Sequence, residues 1–152
     1  MKKILVSSCL FGDCVRYDAA PSECTDPRFL KWKEEGRLVK ICPEVFGGLS
    51  VPRPDSQRVG DRVMTRTGED VTEAHELGAA EAVRLAEENH VALAVMKQRS
   101  PCCGSRIIYD GSFTGTKIPG EGVAVQRLRE AGFRVFGEDE LDEAEKFLDQ
   151  AE

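Results

Sequence analysis

The stretch that points most clearly to a fold is Val91-Ala-Leu-Ala-Val-Met96, an almost wholly apolar run that follows a long helical pattern. A strand in the centre of a parallel sheet is buried on both faces and has this composition. Three more short strands are predicted on either side of this run, each followed by a loop or a helical pattern. These strands are expected over residues 2–8, 37–41 and 133–136.

Helical patterns separate these strands. Residues 27–35 form a short helix with Gly36 as its C-cap, residues 122–131 form another that ends at Gly132, and a last amphipathic helix covers residues 141–151. The longest helix begins at Asp70 and continues to about residue 90, with Asp70 or Thr72 as its N-cap. Its apolar face is predicted to consist of Ala74, Leu77, Gly78, Ala82, Leu85 and Ala86.

The alternation of strands and helices with short connections predicts the α/β class. We expect one Rossmann-like, three-layer domain over residues 1–152, with a mainly parallel sheet of about four strands and helices on both faces. Residues 51–68 are predicted to form an ordered loop or a short hairpin, and residues 107–113 a short extended piece. Ligands bind at the carboxyl ends of the strands in such folds, so the functional site is expected there.

Composition narrows the classes of function. The chain has 152 residues, 41% of them hydrophobic and 32% charged, which fits a globular domain and excludes a disordered chain. It holds no apolar run long enough for a transmembrane helix, and its N-terminal apolar stretch is too short for a signal peptide. We therefore expect a cytoplasmic protein that does not bind membranes. The net charge of −6 and the lack of a basic block argue against large nucleic acid as a partner, and the oligomeric state stays open.

Three of the six cysteines follow predicted strands. Cys9, Cys42 and Cys103 come after the first, second and third strands in chain order, and thiols of a cytosolic protein indicate metal binding or catalysis more often than disulfides. Neighbouring strands are about 4.8 Å apart, so these thiols can meet at one inorganic cluster. Three thiolates can hold a cubane iron–sulfur cluster and leave one iron open to a substrate. Zinc stays an alternative, although it requires a fourth ligand and the two histidines, His75 and His90, are expected to be solvated helix residues. Small buried hydrophobes are the other alternative.

Five ordered motifs resemble the thiouracil desulfidase family, small bacterial iron–sulfur proteins formerly catalogued only as a domain of unknown function. The resemblance covers nearly the whole chain. The motifs are Ser8-Cys-Leu-Phe-Gly12 with Arg16-Tyr-Asp18, Cys42-Pro-Glu-Val-Phe-Gly-Gly-Leu49 with Pro52-Arg-Pro54, Asp70-Val-Thr72, Ser100-Pro-Cys-Cys-Gly104, and Tyr109-Asp-Gly-Ser-Phe-Thr-Gly115.

This resemblance implies an enzyme that removes sulfur from 4-thiouracil or 2-thiouracil. A 4Fe-4S cluster on the three cysteines named above would accept the sulfur at its open iron, and water would complete a non-redox hydrolysis to uracil and hydrosulfide. The resemblance assigns Glu44 as the acid/base and Ser100 as a pocket hydroxyl. Partial burial beside a ligand predicts that the Glu44 pKa is raised towards neutrality. Arg16 and Arg53 are candidates for substrate-pocket cations or for loop salt-bridge partners.

The chain departs from the family pattern at three positions. It has Ala19 where a glycine is usual, Gln57 where a glutamate is usual, and Cys102 where a serine is usual. Adjacent side chains of an extended backbone point to opposite faces, so only one of Cys102 and Cys103 is expected to reach a cluster, and the motif selects Cys103. The remaining cysteines, Cys14 and Cys24, are expected to be structural.

Other functions stay open at this point. One is a non-catalytic iron–sulfur or zinc-binding sensor, and another is a metal-free thiol protein. A third is a desulfidase whose substrate is a thiolated nucleoside, a thiouridine nucleotide or tRNA rather than the free base. The sequence also leaves open whether the cluster survives oxygen.

Overall fold

The computed structural model describes residues 1–20 and 22–151. Its strands are β1 (Ile4–Ser7), β2 (Leu38–Ile41), β3 (Ser56–Val59), β4 (Arg62–Thr65), β5 (Leu93–Met96), β6 (Ile107–Tyr109), β7 (Lys117–Pro119) and β8 (Val135–Gly137). Its helices are α1 (Ser8–Phe11), α2 (Pro27–Glu34), α3 (Pro43–Phe46), α4 (Thr72–Glu88), α5 (Val123–Glu130) and α6 (Leu141–Ala151). Across the described ranges, no helix combines the length and the apolar character needed to cross a membrane.

A four-stranded parallel sheet forms the middle layer, in the order β2-β1-β5-β8. The first strand lies between the second and fifth, with Ile4 paired to Leu38 on one side and to Leu93 on the other. Because the chain moves from β1 to one neighbour and later to the opposite one, the strand order reverses at β1, where α/β folds bind ligands. The predicted fold class and sheet are confirmed.

Helices cover both faces of this sheet, as predicted. Leu5 and Ala94 belong to a core shared with α4 and α5, whereas Ile4, Val6 and Leu93 belong to a second core shared with α1, α2 and α6. The alternation along β1 and β5 sends successive side chains to opposite cores. Both central strands are therefore buried on two sides, which explains their apolar composition.

Two antiparallel hairpins lie outside the main sheet. The first pairs β3 with β4, with Ser56 opposite Thr65, so residues 51–68 contain the hairpin that was one of the two predicted forms. The second pairs β6 with β7, and β7 was not predicted. All three residues of β7 are exposed, so it lacks the apolar alternation by which a half-buried strand is recognised.

The long helix α4 differs from the prediction in its cap and its buried face. Neither Asp70 nor Thr72 is the N-cap, because Val71 occupies that position and makes no side-chain cap bond. Leu77 is 53% exposed, so its predicted place on the apolar face is wrong. The buried residues are His75, Gly78, Ala79, Ala82 and Ala86.

The buried face of α4 consists mainly of small residues because α3 packs very closely on it. A Cβ atom added to Gly78 would lie 1.9 Å from the Pro43 carbonyl oxygen, and one added to Gly47 would lie 2.0 Å from the Ala74 carbonyl oxygen. Real Cβ atoms do not approach backbone oxygens at such distances. The two glycines therefore allow the helix that follows Cys42 to rest directly on α4.

We expect Gly78→Ala to destabilise the protein by about 1–3 kcal/mol, since the added methyl group must push α3 away from α4. An ordinary Gly→Ala change inside a helix has the opposite sign and stabilises by about 1 kcal/mol. Urea unfolding measures the difference. Ala80→Ser, on the exposed side of the same helix, should stay within about 0.5 kcal/mol of the wild type, and a stabilised Gly78→Ala variant would contradict the close packing.

Candidate active site

Three adjacent strand ends place the three predicted cysteine ligands. Cys9 lies in α1, directly after β1, and Cys42 is the N-cap of α3, directly after β2. Cys103 lies in the turn that follows β5. The backbone N–H of Lys97 donates to the Ser7 hydroxyl at 2.9 Å, which ties the ends of β1 and β5 together. The fold thus gathers residues that are far apart in the sequence.

A cavity of about 480 Å³ opens at these strand ends. The three cysteine side chains line it. So do the four other residues predicted for the site: Glu44, Ser100, Arg16 and Arg53. The structure therefore brings all seven predicted site residues to one cavity.

The three thiols influence one another electrostatically. Burial raises the pKa of the Cys9 thiol to about 12, and the nearby Cys103 and Cys42 add to that rise. Burial also raises the pKa of the Cys42 thiol to about 11, against the lowering effect of the Val45 backbone N–H, and Cys103 again adds to the rise. Three thiolates close together repel one another, so a cationic centre is needed to hold all three deprotonated.

The other cysteines stand apart from the cavity lining. Cys102 is fully buried and belongs to the core beneath α4 and α5, whereas Cys103 lines the cavity. The two side chains thus have different surroundings, as predicted, although residues 101–103 form a turn rather than the extended backbone on which that prediction was based. Cys14 is exposed and Cys24 is partly buried, and neither is among the residues that line the cavity in the described part of the chain.

Glu44 lies in a network of charged groups. The Arg53 side chain donates from Nε and Nη2 to Oε2 of Glu44, at 3.3 and 3.2 Å. Nε2 of His75 lies 3.6 Å from the same oxygen. Burial raises the pKa of the Glu44 carboxyl, but the His75 contact and the Arg53 charge outweigh burial, so the pKa is lowered. The prediction of a raised pKa is therefore wrong, because the sequence does not reveal that His75 and Arg53 both contact the Glu44 carboxylate.

His75 contacts the site although the sequence analysis did not assign it there. Its side chain is fully buried in α4, so the expectation of a solvated residue is wrong, while His90 is exposed as expected. Its position on the helix, three and four residues before Gly78 and Ala79, places it on the same face as the small residues. This helical spacing is the signal in the sequence from which the burial of His75 could have been predicted.

Ser100 combines two roles in its loop. Its hydroxyl oxygen accepts hydrogen bonds from the backbone N–H groups of Cys102 and Cys103, both at 3.1 Å. Ser100 therefore shapes the turn that presents Cys103. Because the oxygen accepts both of these bonds, the hydroxyl hydrogen stays available to donate to a group in the cavity.

Both predicted arginines have protein partners. Arg16 donates to the Ser22 hydroxyl at 3.0 Å and to the Asp18 carboxylate at 3.3 Å. The side chain of Arg53 is only 6% exposed and pairs with Glu44. Each is thus a loop salt-bridge partner that also borders the cavity. Further basic residues that the sequence analysis did not name, Arg66, Lys97 and Arg99, line it as well.

Comparison with known proteins fits this geometry. The model of the 2-thiouracil desulfurase family matches residues 4–140. The chain belongs to this family. A solved structure of the [4Fe-4S]-dependent thiouracil desulfidase TudS matches with a TM-score of 0.97 and 41% identity, and covers 99% of each chain. The uncharacterized protein YbbK of Bacillus subtilis (strain 168) is 39% identical over 150 residues, which are 92% of this chain and 98% of YbbK. The resemblance predicted from the motifs, and with it an enzyme of this family, is confirmed.

Gln57, where the family resemblance leads us to expect a glutamate, has clear hydrogen-bond partners. It is buried, and its Oε1 accepts from the backbone N–H groups of Gly111 at 2.9 Å and Phe113 at 3.3 Å. A carboxylate oxygen of glutamate can accept the same bonds. An amide therefore holds the loop after β6 without adding a negative charge beside the cavity.

Ala19, where the family resemblance leads us to expect a glycine, has a left-handed backbone with a φ of 61°. Only glycine adopts this conformation without steric cost.

We expect Ala19→Gly to stabilise the protein by about 0.5–1 kcal/mol in thermal or urea unfolding. The neighbouring Ala20 lies outside the left-handed region, so Ala20→Gly should instead destabilise slightly. Equal effects at the two alanines would contradict the assignment of strain to Ala19.

Proposed function

We propose that this protein hydrolyses the thiocarbonyl group of a thiolated pyrimidine base such as 4-thiouracil or 2-thiouracil. In this reaction one water molecule and the thiolated base give uracil, hydrosulfide and a proton, with no net change in oxidation state. The observation that carries the proposal is the meeting of three thiols with one carboxylate in a single cavity. Its volume, about 480 Å³, falls in the range typical of small-ligand sites.

The donor set fits a 4Fe-4S cluster held by Cys9, Cys42 and Cys103. All three thiols line the cavity, and thiolates are the usual ligands of iron–sulfur clusters. Within residues 1–20 and 22–151, no three Cys, His, Asp or Glu side chains are close enough to hold one metal ion. Cluster ligands bind different irons and stand farther apart than the ligands of one ion. Three thiols that line one cavity fit a cubane cluster with one open iron, whereas a structural zinc ion takes four Cys or His ligands.

The chemistry of such a cluster suits a sulfur-containing substrate. With three protein ligands, the bound cluster would supply one open iron, a Lewis acid for the soft thiocarbonyl sulfur that weakens the C=S bond. The TudS relative is named for the same dependence on a [4Fe-4S] cluster. The remaining steps, orientation of the ring and movement of protons, fall to side chains of this chain.

Glu44 is the proposed proton carrier. Among the described residues, its side-chain contacts with Arg53 and His75 all fall on Oε2. Oε1 can therefore face the cavity, where it can take a proton from the attacking water and deliver one to the pyrimidine ring. The contacts with His75 and Arg53 lower the pKa of Glu44 and favour its carboxylate form, which suits a group that begins the reaction as a base.

Ser100 is the proposed hydrogen-bond donor to the base. Its hydroxyl hydrogen can reach a ring oxygen or nitrogen from the turn beside Cys103. The basic side chains at the cavity rim favour electron-rich ligands and an anionic product such as hydrosulfide.

An anaerobic assay tests the proposal. Full-length protein, reconstituted with iron and sulfide, should bind about four irons per chain and release hydrosulfide and uracil in equal amounts from 4-thiouracil. Uracil is followed by its ultraviolet absorbance and hydrosulfide by a colorimetric reaction. An intact cluster that releases no hydrosulfide from either 4-thiouracil or 2-thiouracil would remove the proposed activity.

A further inference from the structure

A buried histidine faces the carboxylate of the proposed proton carrier. His75 is fully buried in α4, and Nε2 lies 3.6 Å from Oε2 of Glu44. Within the described ranges this nitrogen has no hydrogen-bond partner. An unpartnered buried nitrogen is unfavourable, so a histidine at this position calls for an explanation.

The other ring nitrogen fixes the arrangement of hydrogens. Nδ1 lies 2.9 Å from the backbone carbonyl oxygen of Val71, one helical turn earlier. A carbonyl oxygen can only accept, so Nδ1 carries a hydrogen and donates it. The ring is thereby anchored to the backbone of α4, and Nε2 is aimed at α3.

The nature of the facing group then decides what Nε2 does. Oε2 of Glu44 is a carboxylate oxygen and therefore an acceptor, and a bare lone pair on Nε2 would be repelled by it. Because Nδ1 also carries a hydrogen, a hydrogen on Nε2 makes the ring an imidazolium cation and converts this contact into a charge-assisted interaction. The distance of 3.6 Å is slightly longer than a hydrogen bond and within the range of an ion pair.

We infer that His75 is a positioning residue for Glu44, with a hydrogen on Nε2 that holds Oε2 so that Oε1 stays directed into the cavity. This inference rests on the proposed role of Glu44. Arg53 binds the same oxygen from the loop before β3, so the carboxylate is held by residues from two separate segments. The close approach of α3 to α4 through Gly47 and Gly78 brings His75 within reach.

Two amide substitutions separate the roles of the two ring nitrogens. The side-chain N–H of glutamine can occupy the position of Nε2, so His75→Gln keeps a donor towards Glu44. The N–H of asparagine can occupy the position of Nδ1, so His75→Asn keeps the bond to Val71 and loses the contact with Glu44. A role confined to helix anchoring would predict the reverse order of activities.

We expect kcat for 4-thiouracil to fall about 10- to 100-fold in His75→Asn and to stay within about threefold of the wild type in His75→Gln, with KM little changed in both. Iron content should equal that of the wild type. His75→Asn added to Glu44→Gln should lower kcat no further, because both changes disable one unit. The exposed His90→Asn variant is the control and should be fully active. Equal activities for the two His75 variants, or a second fall in the double variant, would overturn the inference.

A spectroscopic measurement tests the inference about His75 without relying on enzyme activity. Long-range ¹H–¹⁵N correlation spectra of the full-length reconstituted protein should show Nε2 of His75 as a protonated nitrogen, and the signal should move in Glu44→Gln. A Nε2 signal typical of an unprotonated nitrogen in the wild type would refute the inference even if the enzyme is active. If the wild type releases no hydrosulfide, the proposed function fails, and the spectrum alone decides whether His75 holds Glu44.

Discussion

Serine in place of Cys42 is expected to reduce the iron content of the anaerobically reconstituted protein well below that of the wild type and to lower kcat by about 100-fold or more. The same result is expected for Cys9→Ser and Cys103→Ser, because a hydroxyl binds iron more weakly than a thiolate. All three thiols line one cavity, so the loss of any one removes a third of the proposed protein ligands. Iron analysis and absorbance near 400 nm measure the cluster, and hydrosulfide release measures the activity.

The remaining cysteines provide matched controls for these variants. Cys14→Ser and Cys24→Ser change thiols outside the cavity lining and should keep both iron and activity. Cys102→Ser buries a hydroxyl in the core and should destabilise the protein by about 1–3 kcal/mol, yet the folded protein should still bind the cluster. Loss of iron in Cys102→Ser but not in Cys103→Ser would show that the ligand had been assigned to the wrong neighbour.

Glu44→Gln is expected to lower kcat by about 10²- to 10⁴-fold while the iron content stays unchanged. Glutamine has nearly the same shape and can still accept a hydrogen bond from Arg53, but it cannot take up and release a proton. This result would also separate an enzyme from a sensor that only binds a cluster. Single-turnover hydrosulfide release and iron analysis on the same sample are the measurements.

Two further observations complete this test. The change leaves the buried Arg53 without a charged partner, so urea unfolding should confirm that the variant is folded at the assay temperature. Glu76→Gln removes a carboxylate that pairs with Arg127 outside the cavity lining, and it should keep full activity. A Glu44→Gln variant as active as the wild type would exclude Glu44 as the proton carrier.

The sequence predicted the main sheet well because two signals agreed. The apolar runs at β1 and β5 reflect burial on two faces, and the alternation with helices implies parallel pairing. Because the carboxyl ends of parallel strands lie at the same edge of a sheet, the cysteines that follow these strands are expected to lie close together there. The cavity lined by Cys9, Cys42 and Cys103 followed from that topology and from the family motifs.

The parts that were missed depend on contacts between distant segments. The exposed strand β7 has no apolar pattern of its own and is defined only by its pairing with β6. Leu77 and His75 exchanged their expected environments because α3 approaches α4 at its small residues, a contact that the helical period alone does not reveal. The direction of the Glu44 pKa shift was wrong for the same reason, since the His75 and Arg53 contacts that lower this pKa come from other segments of the chain.

The central claim is that Cys9, Cys42 and Cys103 hold one 4Fe-4S cluster and leave a single iron without a protein ligand. A crystal structure of the anaerobically reconstituted full-length protein tests it most directly. The account predicts one cluster bonded to these three sulfur atoms, with its fourth iron facing the cavity beside Glu44. A cluster bonded to Cys102, a fourth protein ligand on the remaining iron, or a lone metal ion in place of the cluster would contradict it.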